Sequence, residues 1–447
     1  MAQRFGGFCD VFSEHFVVWG RDMSQHARHY LSGLLGTQRR KNIGRIEEDV
    51  AGSNYQGMQQ FITDSPWEEN ALLDDVAEEA NALLGKHPDS SLLLDESGFV
   101  KKGNASVGVQ RQYCGRVGKI ENCQVGVFAS LGRGERATLV DFRLFLPEAW
   151  VEDEERCSKA RVPEAERRHR TKTQLALEMV EAAKRRGLSY QWIGGDEVYG
   201  NNTSLTDALD DMGEVFLMDV ARNLSVWDRN PDPQPAPENS QGRPRTRRVA
   251  GEPRARSLSV SALVEEHFAK ECREVTIRET TKGPLRAKIW VEEVWQWDGR
   301  HGKSRRRVLV VRQEQDGSFK YSLGNVPGHT RWERLAYMQA QRFWIERAFQ
   351  DGKSELGMAQ YEVRTWRGWH HHMALVCLAM LFLLKERITA VDHTPLLSAR
   401  DIVELLAFYL PRRNRDPEEI LNRLRTRHAQ RQRSIDHHRR RSEAVTK

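Results

Sequence analysis

The chain has 447 residues, 39% hydrophobic and 30% charged, with a formal net charge of +6. That length predicts two to four domains with a sizeable core, and the basic excess favours a polyanionic partner without demanding one. Six scattered cysteines without a CxxC pair suggest neither a zinc ribbon nor a disulfide framework. No basic start followed by an apolar run marks a signal peptide, and the longest apolar run, 373–384, is too short to span a bilayer. A cytoplasmic protein with no membrane partner is therefore expected.

Residues 1–88 are predicted to be a helical domain. Apolar residues recur at helical spacing in Tyr30, Leu31, Leu34 and Leu35, and again in Leu72, Leu73, Val76, Ala80, Leu83 and Leu84. Ser65-Pro66 between them is a helix-start signal, because proline at the first helical position loses no hydrogen bond. Arg39, Arg40, Lys41 and Arg45 form a basic cluster that suits either a solvated helix end or a DNA contact.

From residue 89 the pattern changes. Leu92-Leu93-Leu94 is a short apolar run, predicted as a buried strand that ends at Asp95, with a turn at Gly98. Strands at 124–130 and 138–146 follow, then a helix at 174–184, a strand at 190–193 closing with Gly194-Gly195-Asp196, a helix at 205–212 and a strand at 215–218. Three strands followed by alternating helices and strands is the order of the ribonuclease H-like fold. The fold class is thus α/β, with 89–219 as the first part of that core.

Residues 220–330 are predicted to be a strand-rich insertion. Its Pro/Arg-rich loop at 229–256 carries Arg243, Arg245, Arg247 and Arg248, and alternating segments follow at 274–277, 286–295, 307–312 and 319–322. The last part of the core is placed at 331–390. Residues 391–447 are read as a helical basic tail with arginines from Arg423 to Arg441.

Two aspartates close apolar strands, Asp95 and Asp196. Strand ends in an open sheet are where side chains converge on a site, although a turn or a helix cap alone also explains an aspartate there. The helix around 342–353 supplies a third acid. At about 100° per residue, Arg342, Glu346 and Lys353 fall within roughly 40° of one another, beside an apolar face of Ile345, Phe349 and Leu356. Glu355 projects to the opposite side. Carboxylates gathered in this way suit Mg²⁺, which takes oxygen ligands and keeps waters for substrate.

The stretches LLLDESGFVKKG (92–103), VGVQRQYCGRVGKIENCQVGVF (107–128), GGDEVYG (194–200) and RFWIERAFQDGKSELGMAQYEVRTWRGWHHHM (342–373) resemble bacterial insertion-sequence transposases of the DDE superfamily. The likeness is to the cut-and-paste branch with a strand-rich insertion before the catalytic glutamate. It implies an RNase H-like core and a metal-dependent enzyme that cuts and joins DNA, acting as a homodimer on terminal inverted repeats. It further implies Asp95, Asp196 and Glu346 as catalytic ligands of two Mg²⁺ ions, with Mn²⁺ as a substitute. Arg342, Glu346 and Lys353 match three members of that branch's tyrosine–arginine–glutamate–lysine signature. The tyrosine position is Gln339 here, and the nearest tyrosine is Tyr337. Arg342 and Lys353 are expected to hold phosphates beside the scissile bond.

Lys101, Lys102, Arg111, Arg116 and Lys119, interleaved with glycines, suit a loop that approaches a DNA backbone, or else a solvated hairpin. Trp366 and Arg367, with Trp369, suit stacking on an exposed base, or else the core. His370-His371-His372 point in three directions on a helix, which argues against a shared metal. A repressor derived from a transposase, and a nuclease that cuts without joining, are the alternatives.

Overall fold

The structure is a computed structural model that describes residues 1–236, 247–280, 283–300, 302–413 and 416–445, with backbone only at 430, 438 and 441–445. Arg243 and Arg245 lie outside the described residues.

The N-terminal helices are α1 (Ala2–Val11), α2 (Ser24–Leu34), α3 (Ile43–Asp49), α4 (Tyr55–Thr63) and α5 (Glu69–Leu84). α3 and α4 begin with Asn42 and Asn54, whose side chains accept the Arg45 and Gly57 amides. Ser65-Pro66 does not start α5, which begins at Glu69. The chain first turns Trp67 into the core, where its indole donates to the Phe61 carbonyl and stacks on His371 at 3.7 Å.

Next come β1 (Ser90–Val100), β2 (Gln110–Cys114), β3 (Lys119–Arg133) and β4 (Arg136–Leu144), then α6 (Lys172–Arg185), β5 (Trp192–Gly195), α7 (Glu197–Gly200), α8 (Thr203–Asp211) and β6 (Leu217–Asp219). β3 pairs antiparallel with β1, β2 and β4, while β5 lies parallel to β1. The strand expected to end at Asp95 runs on to Val100, so Asp95 sits mid-strand. Gly98 does not turn the chain. It leaves room for a neighbouring strand, since a Cβ there would meet Cys114 Sγ at 2.5 Å.

A second, seven-stranded sheet contains β6, β7 (Ser225–Trp227), β8 (Ser257–Ser259), β9 (Arg273–Thr280), β10 (Gly283–Gln296), β11 (Arg305–Gln313) and β12 (Phe319–Gly324). Its order is β8-β7-β10-β11-β12-β6, with β9 on β10. A helix precedes β9, α9 (Val260–Glu271), which the reading of the sequence did not anticipate. Phe216, just before β6, bridges to Ile193 of β5, so the two sheets meet at this point.

The chain closes with α10 (Trp332–Gln341), α11 (Phe343–Glu355), α12 (Trp366–Thr389), α13 (Ala399–Tyr409) and α14 (Pro417–Val445). α12 is buried on nearly every side, packing between β4 and the helices α2, α4 and α5. α11 lies on β1 and β4, with Ile345 buried and the Phe349 ring 5.3 Å from that of Phe128. No helix among the described residues is long and apolar enough to cross a membrane.

Candidate active site

The parallel register of β1 and β5 sets Leu94 beside Gly195. The residue that follows each of them is an aspartate, so Asp95 and Asp196 are neighbours. Asp95 is buried, and its carboxylate accepts the Glu96 amide at 2.7 Å. Asp196 caps α7 by accepting the Val198 amide at 2.9 Å. Burial pushes the Asp95 carboxyl up to about 7, with Asp196 adding to the rise and Arg342 opposing it. Burial likewise raises Asp196 to about 6, against the pull of the Val198 amide and with Glu96 adding to the rise. Two carboxyls that resist ionisation together make a site that gains from a cation.

One cation is Arg342, at the junction of α10 and α11. Its Nη1 lies 2.7 Å from Glu346 and 3.7 Å from Asp95, and its Nε lies 2.9 Å from Asp219. Burial alone would lower the Arg342 pKa, but Asp219, Glu346, Asp95 and Asp196 together raise it. Among the described residues no three acidic, histidine or cysteine side chains stand ready to hold an ion as they are. The guanidinium stands among these acids instead. The donor set still fits Mg²⁺, since it is all carboxylate oxygen and its buried members are short of positive charge. Glu346 keeps 49% of its side chain exposed, and it lines a cavity of about 600 Å³ shared with Asp219, Arg278, Lys320 and Arg342.

Asp219 was missed in the sequence, although it closes a short apolar run just as Asp95 and Asp196 do. It accepts the Ser322 hydroxyl at 2.6 Å, and Ser322 Oγ in turn accepts from Gln339 at 2.9 Å. The residue at the signature's tyrosine position is therefore a buried link in the support of Arg342. Tyr337, the nearest tyrosine, lies elsewhere. Its hydroxyl accepts the Gly134 amide and its ring meets Trp192, near the start of β1 rather than near Asp95. Tyr199 was missed as well. It is fully buried, its hydroxyl has no hydrogen-bond partner among the described residues, and Asp95, Glu96 and Asp196 raise its pKa. Burial comes first in that rise. Glu96, the neighbour of Asp95, is taken by Lys172 at 2.7 Å. Glu355 closes α11 away from the acids.

The basic candidates divide. Lys353 is close enough to Asp95 and Arg116 to feel both, and burial lowers it to about 8. Lys102, Arg111, Arg116 and Lys119 are exposed, with Arg111, Arg116 and Lys119 on the β2–β3 hairpin, where Gly118 turns the chain at φ 64°. Lys101 is withdrawn from solvent. It donates to the Tyr361 carbonyl and lies 3.4 Å from the centre of that ring, and burial lowers it to about 7. Trp366 and Trp369 are core residues rather than stacking surfaces, and Trp369 donates to the Tyr361 hydroxyl. Arg367 is exposed and donates to the Asp64 carbonyl. The three histidines have separate partners: Trp366 O for His370, Ile62 O and Trp67 O for His371, and the Tyr30 hydroxyl for His372.

Residues 11–284 match the family described as DDE superfamily endonuclease. That segment holds Asp95 and Asp196 and stops short of Glu346. The chain is 25% identical over 227 residues to a protein of Microchaete diplosiphon described as "Probable transposase for insertion sequence element IS701". The match takes in 48% of this chain and 55% of that protein, so the chain spans about half the length of the curated relative. Among solved structures, the NurA nuclease of Sulfolobus solfataricus aligns at 9% identity and a TM-score of 0.26, covering 63% of this chain and 85% of that one.

Proposed function

The chain belongs to the DDE superfamily endonuclease family, and from that premise we propose that it is an insertion-sequence transposase that cleaves DNA at the element's ends and joins them to a target. The observation that carries this reading is the pairing of Asp95 with Asp196 on adjacent parallel strands, with Glu346 tied to Asp95 through Arg342. In this reading 89–219 and 331–390 form an RNase H-like core, and 220–330 is an insertion within it. Double-stranded DNA is the substrate, a homodimer acts on paired ends, and the protein works in the cytoplasm.

Asp95, Asp196 and Glu346 would hold two Mg²⁺ ions, for which Mn²⁺ would substitute. Bound ions of this kind supply activation of the attacking oxygen and stabilisation of the leaving one. The chain's own groups do the rest. Asp219 anchors Arg342 through the arginine's Nε, which holds the planar guanidinium beside Glu346 and Asp95, where it would meet a phosphate oxygen of the substrate. Lys353, with its pKa near 8, places a second positive charge on the same side. Such fixed cations are worth most where negative charge develops.

The test is cleavage of DNA bearing the element's ends in Mg²⁺. Wild type is expected to cut, and Asp95→Asn, Asp196→Asn and Glu346→Gln to slow cutting by about 10²–10³-fold or more while keeping the far-UV circular dichroism spectrum. A variant that cuts as well as wild type removes its residue from the site. The family's description as endonuclease favours a second reading, cutting without joining. Incubating pre-cut ends with a plasmid separates the two, since only a transposase yields joined product.

A further inference from the structure

Two arginine clusters from opposite ends of the sequence form one groove. Its first wall is the segment 38–49, with Arg39, Arg40 and Arg45. Its second wall is one face of α14, where Ile420, Arg423, Arg427 and Arg431 recur at three- and four-residue spacing and so share a side. The groove has a volume of about 630 Å³, and six arginines line it against two carboxylates, Glu48 and Asp49.

Those carboxylates are already engaged. Glu48 holds Arg45 at 2.6 Å and Arg427 at 3.3 Å, and Asp49 holds Arg412 at 3.0 Å. Arg423 donates to the Glu48 carbonyl and pairs with Glu419, each at 2.6 Å. These bonds fasten α14 to the body. Arg39, Arg40 and Arg431 are exposed and form no ion pair among the described residues. The packing therefore consumes half of the arginines and leaves a surplus of positive charge along the opening.

The loop bearing Arg39 and Arg40 is rooted. The next residue, Lys41, is buried, with its ammonium donating to the carbonyls of Leu34 and Glu355. Three unpaired guanidinium groups on an opening that three paired ones also line give it a net positive charge, which suits a polyanion. From Arg423 to Arg431, α14 rises about 12 Å, a length over which one strand of duplex DNA carries three to four phosphates.

We propose that this groove is a docking surface for the phosphate backbone of double-stranded DNA, outside the candidate active site. The proposal takes DNA as substrate from the reading above and adds a second place where the duplex is held.

The experiment measures DNA binding in EDTA, where the active-site carboxylates have no ion to act through, over a range of salt concentrations. Arg39→Gln/Arg40→Gln/Arg431→Gln is expected to lower the slope of log affinity against log salt by about 2–3, roughly 0.9 for each phosphate that is no longer neutralised. Arg39→Lys/Arg40→Lys/Arg431→Lys should restore the wild-type slope, because the charge is kept. A charge-matched control, Lys86→Gln/Arg185→Gln/Arg254→Gln, should leave it unchanged. If wild type binds DNA and the glutamine triple keeps the wild-type slope, or if the control lowers it equally, the groove is not where DNA docks. If wild type binds no DNA at all, the reading as a DNA enzyme fails first.

Discussion

Arg342 shares one guanidinium among Glu346, Asp95 and Asp219. Any ion that enters must compete with it and must also displace protons. Asp95 has its pKa near 7 and Asp196 near 6, both above the ordinary carboxyl range. Below those values the groups are protonated and are poor ligands. Divalent-ion affinity is therefore expected to fall as pH drops from 8 to 5.5, by up to about tenfold per pH unit for each group that must lose a proton. Calorimetric titration with Mn²⁺ across that range checks this, and a flat profile would contradict it. Linkage gives the matching sign for stability. Each raised carboxyl costs the ion-free fold nothing at pH values below its ordinary pKa, and the cost is complete above its raised one. Asp95 and Asp196 were legible as candidates because each closes an apolar run. Asp219 bears the same mark, but its role lies in holding Arg342, a residue distant in sequence that no local pattern ties to it.

At the scale of elements, hydrophobic periodicity located most strands and helices but not their ends. Gly98 shows why. In sequence a glycine after Asp95-Glu96-Ser97 reads as a turn, yet here it lets the Cys114 side chain lie against its backbone. Nothing near Gly98 in the chain announces Cys114. Gly98→Ala is expected to destabilise the fold by about 1–3 kcal/mol through overpacking. Urea unfolding of Gly98→Ala, Cys114→Ala and the double variant checks it, with the double expected to lose less than the sum of the singles. An unchanged midpoint for Gly98→Ala would refute the close approach. α9 was legible and overlooked, since Val260, Leu263, Val264 and Phe268 have helical spacing. The Trp67 insertion that delays α5 was not legible, because its partner, His371, belongs to the far end of the chain.

At the scale of the molecule, Lys41 connects parts that the sequence keeps apart. Its ammonium caps the carboxyl ends of α2 and α11, and burial lowers its pKa to about 7. The basic cluster at 39–45 reads in sequence as four equivalent cations. In the fold one of them is internal, and this one helps to fix the helix that carries Glu346. Lys41→Met is expected to cost about 1–3 kcal/mol by leaving two carbonyls unpaired. It should also speed hydrogen exchange at the end of α11 more than in α12. Equal protection of α11 in the variant and wild type would show that the cap does not hold the helix.

The shared position of β6 bears on how the protein can be taken apart. Phe216 bridges to β5, and Leu217–Asp219 is hydrogen-bonded to β12. Excising β7 to β12 to obtain a minimal catalytic fragment would turn β6 into a bare edge, open to pairing with other chains. It would also remove Ser322, and with it the hydrogen bond that steadies Asp219. A shortened protein made in that way would be prone to aggregate and would have a loosened Arg342, so the two sheets are better engineered as one continuous piece.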